Sequence, residues 1–134
     1  MLALGQIYCK RLRQGDDLLH EIKMIARDQQ IKAGVVLSAV GCILTGRLRD
    51  AGGKRIREIT EPCEIVSLQG TVSELRCHLH LSLSKEDLSV IGGHLVEGCI
   101  IHTTCELVIE ELPDWRFGTE DDPQTGYDEI LFLR

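Results

Sequence analysis

The sequence predicts an α+β domain with a mostly antiparallel sheet. One segment, residues 18–30, places apolar residues at helical spacing over several turns, whereas residues 33–112 form a series of strand-like runs separated by turn residues. The composition, 43% apolar and 27% charged over 134 residues, is typical of one globular domain spanning residues 1–134. Together these observations predict one main helix among many strands.

Strands are predicted from alternating or β-branched runs bounded by Gly and Pro. The Gly52-Gly53 pair predicts a hairpin, because paired glycines favour tight turns between strands. The tail after Leu112 is expected to be irregular and acidic until a late strand. We expect strands over residues 4–12, 33–41, 43–51, 54–60, 63–72, 73–84, 98–112 and 129–133.

The main helix is expected to begin after QGDD, with Asp16 as its N-cap, and to end near Gln30. A second, short helix is predicted near residues 85–90. There Ser84-Lys85-Glu86-Asp87 resembles a capping box, and Gly92-Gly93 would end the helix.

Three of the five histidines fall close together, in CHLHLS and IGGHL. His78 and His80 lie two residues apart in an alternating run, so a strand would place them on one face, about 6.6 Å apart along the backbone. His94 follows a predicted Gly-Gly turn that could bring it near. Three imidazoles with an open fourth position would suit zinc, and nickel, cobalt or manganese could substitute. Ordinary strand histidines would explain the same spacing.

The remaining composition excludes several classes of function. The six cysteines are widely spaced and form no CxxC pair, which favours buried thiols in a reducing compartment. The net charge of −6 disfavours DNA binding, and no stretch of about 20 apolar residues could span a membrane. The first residues lack the basic region of a secretory signal, so we expect a cytoplasmic protein.

Several segments, read in order, resemble the plants-and-prokaryotes-conserved (PPC) domain, also described as a PD1-like DNA-binding motif. The resemblance runs from about Gln6 to Ile130 and is carried by EIVSLQG, HLHLSL, GGHL and TGYDE. It implies a curved antiparallel sheet similar in fold to acetolactate decarboxylase, and a homotrimer. It also implies that His78, His80 and His94 are metal ligands, as they look to be in similar prokaryotic proteins.

Plant members of this family carry an AT-hook, a short peptide with an Arg-Gly-Arg-Pro core that enters the minor groove of DNA. The nearest string here is TGRLR at residues 45–49, which lacks the proline, so this sequence is similar to the bare prokaryotic form. A DNA-binding function would therefore rest on the family's name, and we identify no nucleic-acid-binding residue.

Three functions are carried forward. The first is a homotrimer with a histidine-based divalent metal site, of unspecified role, that binds a small molecule nearby. The second is a metal-dependent lyase or hydrolase acting on a small carbonyl acid, with Glu106 as acid/base and Arg76 holding an anionic substrate. The third is a DNA-associated regulator that places its Arg-rich hairpin, residues 46–58, on the phosphates.

Overall fold

The computed structural model describes residues 5–134 and, within that range, has one helix and nine strands. The prediction of an α+β domain is confirmed. In chain order the elements are β1 (Ile7–Arg13), α1 (Leu18–Asp28), β2 (Gly34–Arg49), β3 (Ile56–Ile59), β4 (Cys63–Val72), β5 (Cys77–Ser84), β6 (Val90–Leu95), β7 (Ile100–Glu111), β8 (Arg116–Asp122) and β9 (Tyr127–Leu133).

Seven strands form one antiparallel sheet in the order β1-β7-β2-β4-β5-β6, with β3 also paired to β2. The end of β2 pairs with β6 as well, through Leu48 opposite Leu95 and Arg49 opposite His94. The four strands β2, β4, β5 and β6 therefore form a closed ring, which requires strong curvature of the sheet. This closure brings the end of β2 beside β6.

Strand β2 is continuous where the sequence predicted two strands, 33–41 and 43–51. Gly41 accounts for the difference: a Cβ there would lie 2.0 Å from the carbonyl oxygen of Thr104, and φ is +154°. The register between β2 and β7 shifts after Gly41, which marks a β-bulge. The glycine thus lets β2 bend without ending.

Helix α1 buries Leu18, Leu19, Ile22 and Ala26 in the core, as its helical spacing predicts. Its N-cap is Asp17, whose carboxylate accepts from the backbone N–H of His20 at 3.1 Å. The prediction of Asp16 was wrong by one residue, because the carboxylate of Asp16 instead accepts from the backbone N–H of Arg13 at 2.8 Å. No helix among the described residues is long and apolar enough to cross a bilayer.

The short helix predicted near residues 85–90 is wrong. Strands β5 and β6 pair up to Ser84 opposite Val90, so the segment between them is a hairpin loop too short for a helix. The Asp87 carboxylate accepts from the backbone N–H of Ser89 at 2.9 Å and from its hydroxyl at 2.6 Å. Asp87 thus stabilises a turn of the kind that competes with helix formation.

The acidic tail forms a second, two-stranded sheet, β8–β9, where the sequence predicted only a late strand at 129–133. Phe117 is buried, its ring centroid lies 5.4 Å from that of Phe132, and its backbone N–H donates to the backbone carbonyl oxygen of Lys32. The hairpin is therefore fastened to the main body near the start of β2.

Candidate metal centre

Strand β5 separates its side chains onto two faces, as the period-2 pattern predicts. Leu79, Leu81 and Leu83 are buried in the core, whereas His78 and His80 point out of the opposite face and are exposed. The strand begins at Cys77, so Leu75, which the pattern placed on the apolar side, lies in the preceding turn and is exposed.

The third histidine arrives from the neighbouring strand. His94 on β6 lies directly opposite His80 on β5, and directly opposite Arg49 on β2. On the other side of β5, His80 pairs with Gln69 of β4. A row of Arg49, His94, His80 and Gln69 thus crosses four adjacent strands.

Gly92 and Gly93 lie inside β6 and not in the turn that the sequence predicted. A Cβ on Gly92 would come 2.7 Å from the carbonyl oxygen of Leu81, and one on Gly93 would come 2.7 Å from that of Arg49. These glycines allow β6 to fit closely between β5 and β2. They bring His94 to the cluster through strand register.

The three imidazoles face one another. Their ring centroids lie 5.1 Å (His78–His80), 5.4 Å (His78–His94) and 5.7 Å (His80–His94) apart. One nitrogen of each ring lies within 4.8 Å of the other two. The structure therefore brings together all three histidines that the sequence singled out.

The surroundings favour the neutral form of the His78 and His94 imidazoles. The pKa of His94 is lowered to about 4, first because burial disfavours the charged ring and second because the Arg49 guanidinium lies near. Burial also lowers the pKa of His78, with further contributions from His80 and Arg76. Neutral imidazole is the form that coordinates a metal, so this environment suits a ligand set.

These residues fit a divalent metal ion. Tetrahedral zinc with Zn–N bonds of about 2.0–2.1 Å holds its nitrogens roughly 3.3–3.4 Å apart, a modest contraction from the observed spacing. Within residues 5–134, the buried Nδ1 of His94 has no hydrogen-bond partner, which leaves a lone pair or N–H to be satisfied. Three protein ligands leave one coordination position open to another ligand.

The histidines line a cleft with a volume of about 550 Å³. Arg49, the last residue of β2, and Asp50, which follows it, line this cleft. The sequence analysis assigned neither residue to the site. No sequence motif marks them, because they reach the cleft only through the pairing of β2 with β6. The lining comprises Arg49, Asp50, Ala51, Gly53, Ser67, Gln69, His78, His80, Leu81, Ser82, Gly92, Gly93 and His94.

Of the two catalytic residues suggested by the sequence, Arg76 lies near the histidines and Glu106 does not. Glu106 is exposed on β7, opposite Arg11 and Val40, with β2 and β4 between it and the histidine strand β5. The structure does not bring Glu106 into the cleft. Arg76 lies just before β5, close enough for its charge to lower the pKa of His78 and of His94.

Glu129 on β9 is an acidic neighbour that the sequence analysis overlooked. Its charge acts in the opposite direction on the pKa of His78, raising it. The hairpin carrying it reaches towards the same cleft, since a Cβ on Gly53 would lie 4.0 Å from the Tyr127 hydroxyl. The segment TGYDE was singled out as a family motif but not assigned to the site.

A second cleft, of about 430 Å³, contains Cys42, Cys63, Lys85 and the fourth histidine of the strands, His102. Its lysine and cysteines have partners, whereas the buried Nδ1 of His102 has none among residues 5–134. Lys85 lies 3.1 Å from Glu61, and the Cys42 thiol lies 3.0 Å from the Thr103 hydroxyl. His102 is thus separate from the three clustered histidines.

Comparison with known proteins extends these observations. The profile of the Plants and Prokaryotes Conserved (PCC) domain matches residues 2–113. Bifunctional protein GlmU of a Synechococcus strain is 41% identical over 125 residues, which cover 93% of this chain but 20% of that protein. The chain thus spans about a fifth of the length of the curated relatives it matches.

Solved structures with the same fold cover almost the whole chain. A hypothetical protein from Salmonella enterica has a TM-score of 0.94 at 31% identity, covering 99% of this chain and 96% of its own. A metal-containing protein from Archaeoglobus fulgidus has a TM-score of 0.79 at 30% identity, covering 98% and 96%.

Proposed function

The chain belongs to the Plants and Prokaryotes Conserved (PCC) domain family, and we propose that it functions through a divalent metal ion bound by His78, His80 and His94. The observation that carries the proposal is the convergence of three imidazole nitrogens, one from each histidine, within 4.8 Å of one another. Zinc is the first candidate, since three histidines and an open position are a common catalytic zinc arrangement.

Two further observations support the metal. Burial keeps the pKa of His94 low, so its ring stays neutral at physiological pH. The Archaeoglobus relative, 30% identical over nearly the full chain, is itself described as metal-containing. The second role we consider, a lyase or hydrolase acting on a small carbonyl acid, uses the same site, where a bound metal would polarise a carbonyl oxygen. The fold similarity to acetolactate decarboxylase that the family resemblance implies is part of the proposal of a lyase or hydrolase role.

Metal analysis tests the proposal. Protein purified without added metal should contain about one divalent ion per chain by mass spectrometry, and His80→Ala should contain almost none. His102→Ala is the matched control, because it removes a strand histidine from the second cleft and should keep its metal. A wild-type protein free of stoichiometric metal, even after dialysis against zinc, would refute the site.

We further propose that the protein assembles as a homotrimer. Apolar side chains are exposed along one region of the sheet, including Leu37 at 51%, Val40 at 55% and Val66 at 55%. Covering them with other copies of the chain would remove this surface from water. Light scattering should return about three times 15.0 kDa, and a monomer would contradict the assembly.

DNA association is the weaker alternative. Two of the four arginines of the β2–β3 hairpin, residues 46–58, already face acids: Arg47 lies 3.4 Å from Glu58, and Arg57 lies 3.9 Å from Asp50. With a net charge of −6, little positive surface remains for phosphates. We therefore expect no duplex binding at low salt. The six cysteines are all free thiols, which supports a reducing compartment such as the cytoplasm.

A further inference from the structure

We propose that Arg49 is the anion-binding half of the histidine cleft, and that the ligand is a small monocarboxylic acid held between the metal and the Arg49 guanidinium. This inference rests on the proposed metal site and assigns its ligand class. It also transfers the anion-holding role from Arg76, the residue suggested by sequence, to a residue on another strand.

The register of the strands places Arg49 beside the metal ligands. Arg49 is the last residue of β2 and lies directly opposite His94 of β6, which in turn lies opposite His80. Cross-strand partners present their side chains on the same face, with Cβ atoms about 4.5–5.5 Å apart. Both side chains line the same cleft of about 550 Å³. One small molecule can therefore contact both.

The guanidinium of Arg49 lacks a partner that its burial requires. Its Nε is buried and, in the part of the chain from Gly5 onward, makes no hydrogen bond. No carboxylate of that part lies within 4.0 Å of it, although Asp50 is its neighbour in sequence. A buried charged donor without a partner is costly, so such groups in proteins generally meet a ligand or counter-ion.

The charges around the cleft favour an anion. Three neutral histidines with a divalent ion would add two positive charges to those of Arg49 and, nearby, Arg76. Arg49 acts on this space because it lies directly opposite His94 in the strand register and lines the same cleft. A carboxylate between Arg49 and the metal would neutralise part of this excess and match the planar guanidinium.

The acids near the cleft limit how much negative charge it accepts. Asp50 lines the cleft, with a buried Oδ1 that lacks a partner among residues 5–134, and Glu129 lies on β9, whose Tyr127 hydroxyl comes near Gly53 of the cleft. These carboxylates would repel a phosphate dianion more than a carboxylate monoanion. A monocarboxylic acid with a carbonyl or hydroxyl oxygen for the metal therefore fits the cleft best.

The test measures binding by calorimetry, using pyruvate as the probe and its neutral amide, pyruvamide, as the uncharged comparison. Zinc content is measured first on each protein. The zinc-loaded wild type should bind pyruvate more tightly than pyruvamide and more tightly than inorganic phosphate. Arg49→Met should retain zinc and lose about 10- to 100-fold in pyruvate affinity, the usual loss for a charge-assisted hydrogen bond. Its pyruvamide affinity should be unchanged.

Two variants act as controls. Arg47→Met removes a cation two residues earlier on β2, one that is exposed and paired with Glu58, and should bind pyruvate like the wild type. Arg49→Lys keeps a charge in the strand if the Met variant folds poorly, and should bind severalfold more weakly than wild type because the Nε donor is lost. Wild-type pyruvate affinity in the Arg49 variants would overturn the proposal.

The two proposals fail in distinguishable ways. A wild-type protein that takes up no zinc refutes the metal site itself. A zinc-loaded wild type that does not bind pyruvate, or that binds phosphate or pyruvamide more tightly, refutes the carboxylate assignment. That result does not contradict the proposed metal site.

Discussion

Two clefts of the sheet each contain a histidine whose buried Nδ1 lacks a hydrogen-bond partner among residues 5–134, but of these two only the cleft around His94 brings three imidazoles together. The cleft around His102 holds two cysteines, a lysine and acids, and its thiol and ammonium groups have partners: Lys85 contacts Glu61, and Cys42 contacts Thr103. In the cleft around His94, the buried Nδ1 of that histidine and the buried Nε of Arg49 have none within the described chain. Unpaired polar groups that converge, more than polar groups as such, indicate a binding site.

The largest expected difference between the clefts is their response to zinc. A ligand that binds only the folded state stabilises it, by about 2.7 kcal/mol at a concentration of 100 times Kd. Thermal unfolding with and without chelator should therefore show a clear zinc-dependent rise in Tm for wild type and for His102→Ala. His80→Ala should show none. Equal rises in both variants would mean that the clefts do not differ in this way.

Gly70 offers a smaller, structural test of the histidine cleft. A Cβ at this position would lie 1.9 Å from the carbonyl oxygen of His78, and φ is +154°. Gly70→Ala should force β4 and β5 apart, lower stability by about 1–3 kcal/mol or more, and weaken zinc binding because His78 moves. Urea denaturation measures the first effect and zinc titration the second.

Gly52→Ala is the matched control, since the nearest atom to its Cβ would be a side-chain oxygen of Asp50 at 3.4 Å. It should alter neither property by much. A Gly70→Ala protein with wild-type stability and zinc affinity would show that this close approach does not position the site.

The smallest effect is a pH dependence of the metal-free protein. The folded pKa of His94, about 4, lies below the 6.5 of an unperturbed histidine. As pH falls from about 6.5, His94 binds a proton in the unfolded chain but stays neutral in the folded chain. The free energy of unfolding therefore decreases until about pH 4. In chelator, His94→Gln should lose less stability than wild type over this window in denaturation curves. Parallel losses would assign the pH dependence to other groups.

Sequence reasoning predicted the parts of the fold and site that depend on local pattern. The period-2 alternation of β5 placed His78 and His80 together, opposite the leucines, because neighbouring residues in a strand point to opposite faces. The apolar face of α1 was predicted for the same kind of reason. The family resemblance and the mostly antiparallel α+β fold were confirmed.

The features that were missed depend on which strands become neighbours. Gly92-Gly93 looked like a turn, yet the pair lies within β6, where close contact with Leu81 and Arg49 requires glycine. Arg49 lies 45 positions before His94 in the sequence and meets it only because β2 pairs with β6. The capping-box pattern after β5 also led to a wrong prediction, the short helix near residues 85–90. Hairpin pairing of the flanking strands overrides this weak local helix signal.

The central claim is that His78, His80 and His94 together hold one divalent ion. Anomalous diffraction from crystals of the zinc-loaded protein, measured on both sides of the zinc absorption edge, tests it most directly. One strong peak per chain is predicted between the three imidazoles, about 2.0–2.1 Å from a nitrogen of each. A peak at His102 and the cysteines instead, or no ordered peak in the histidine cleft, would contradict the account.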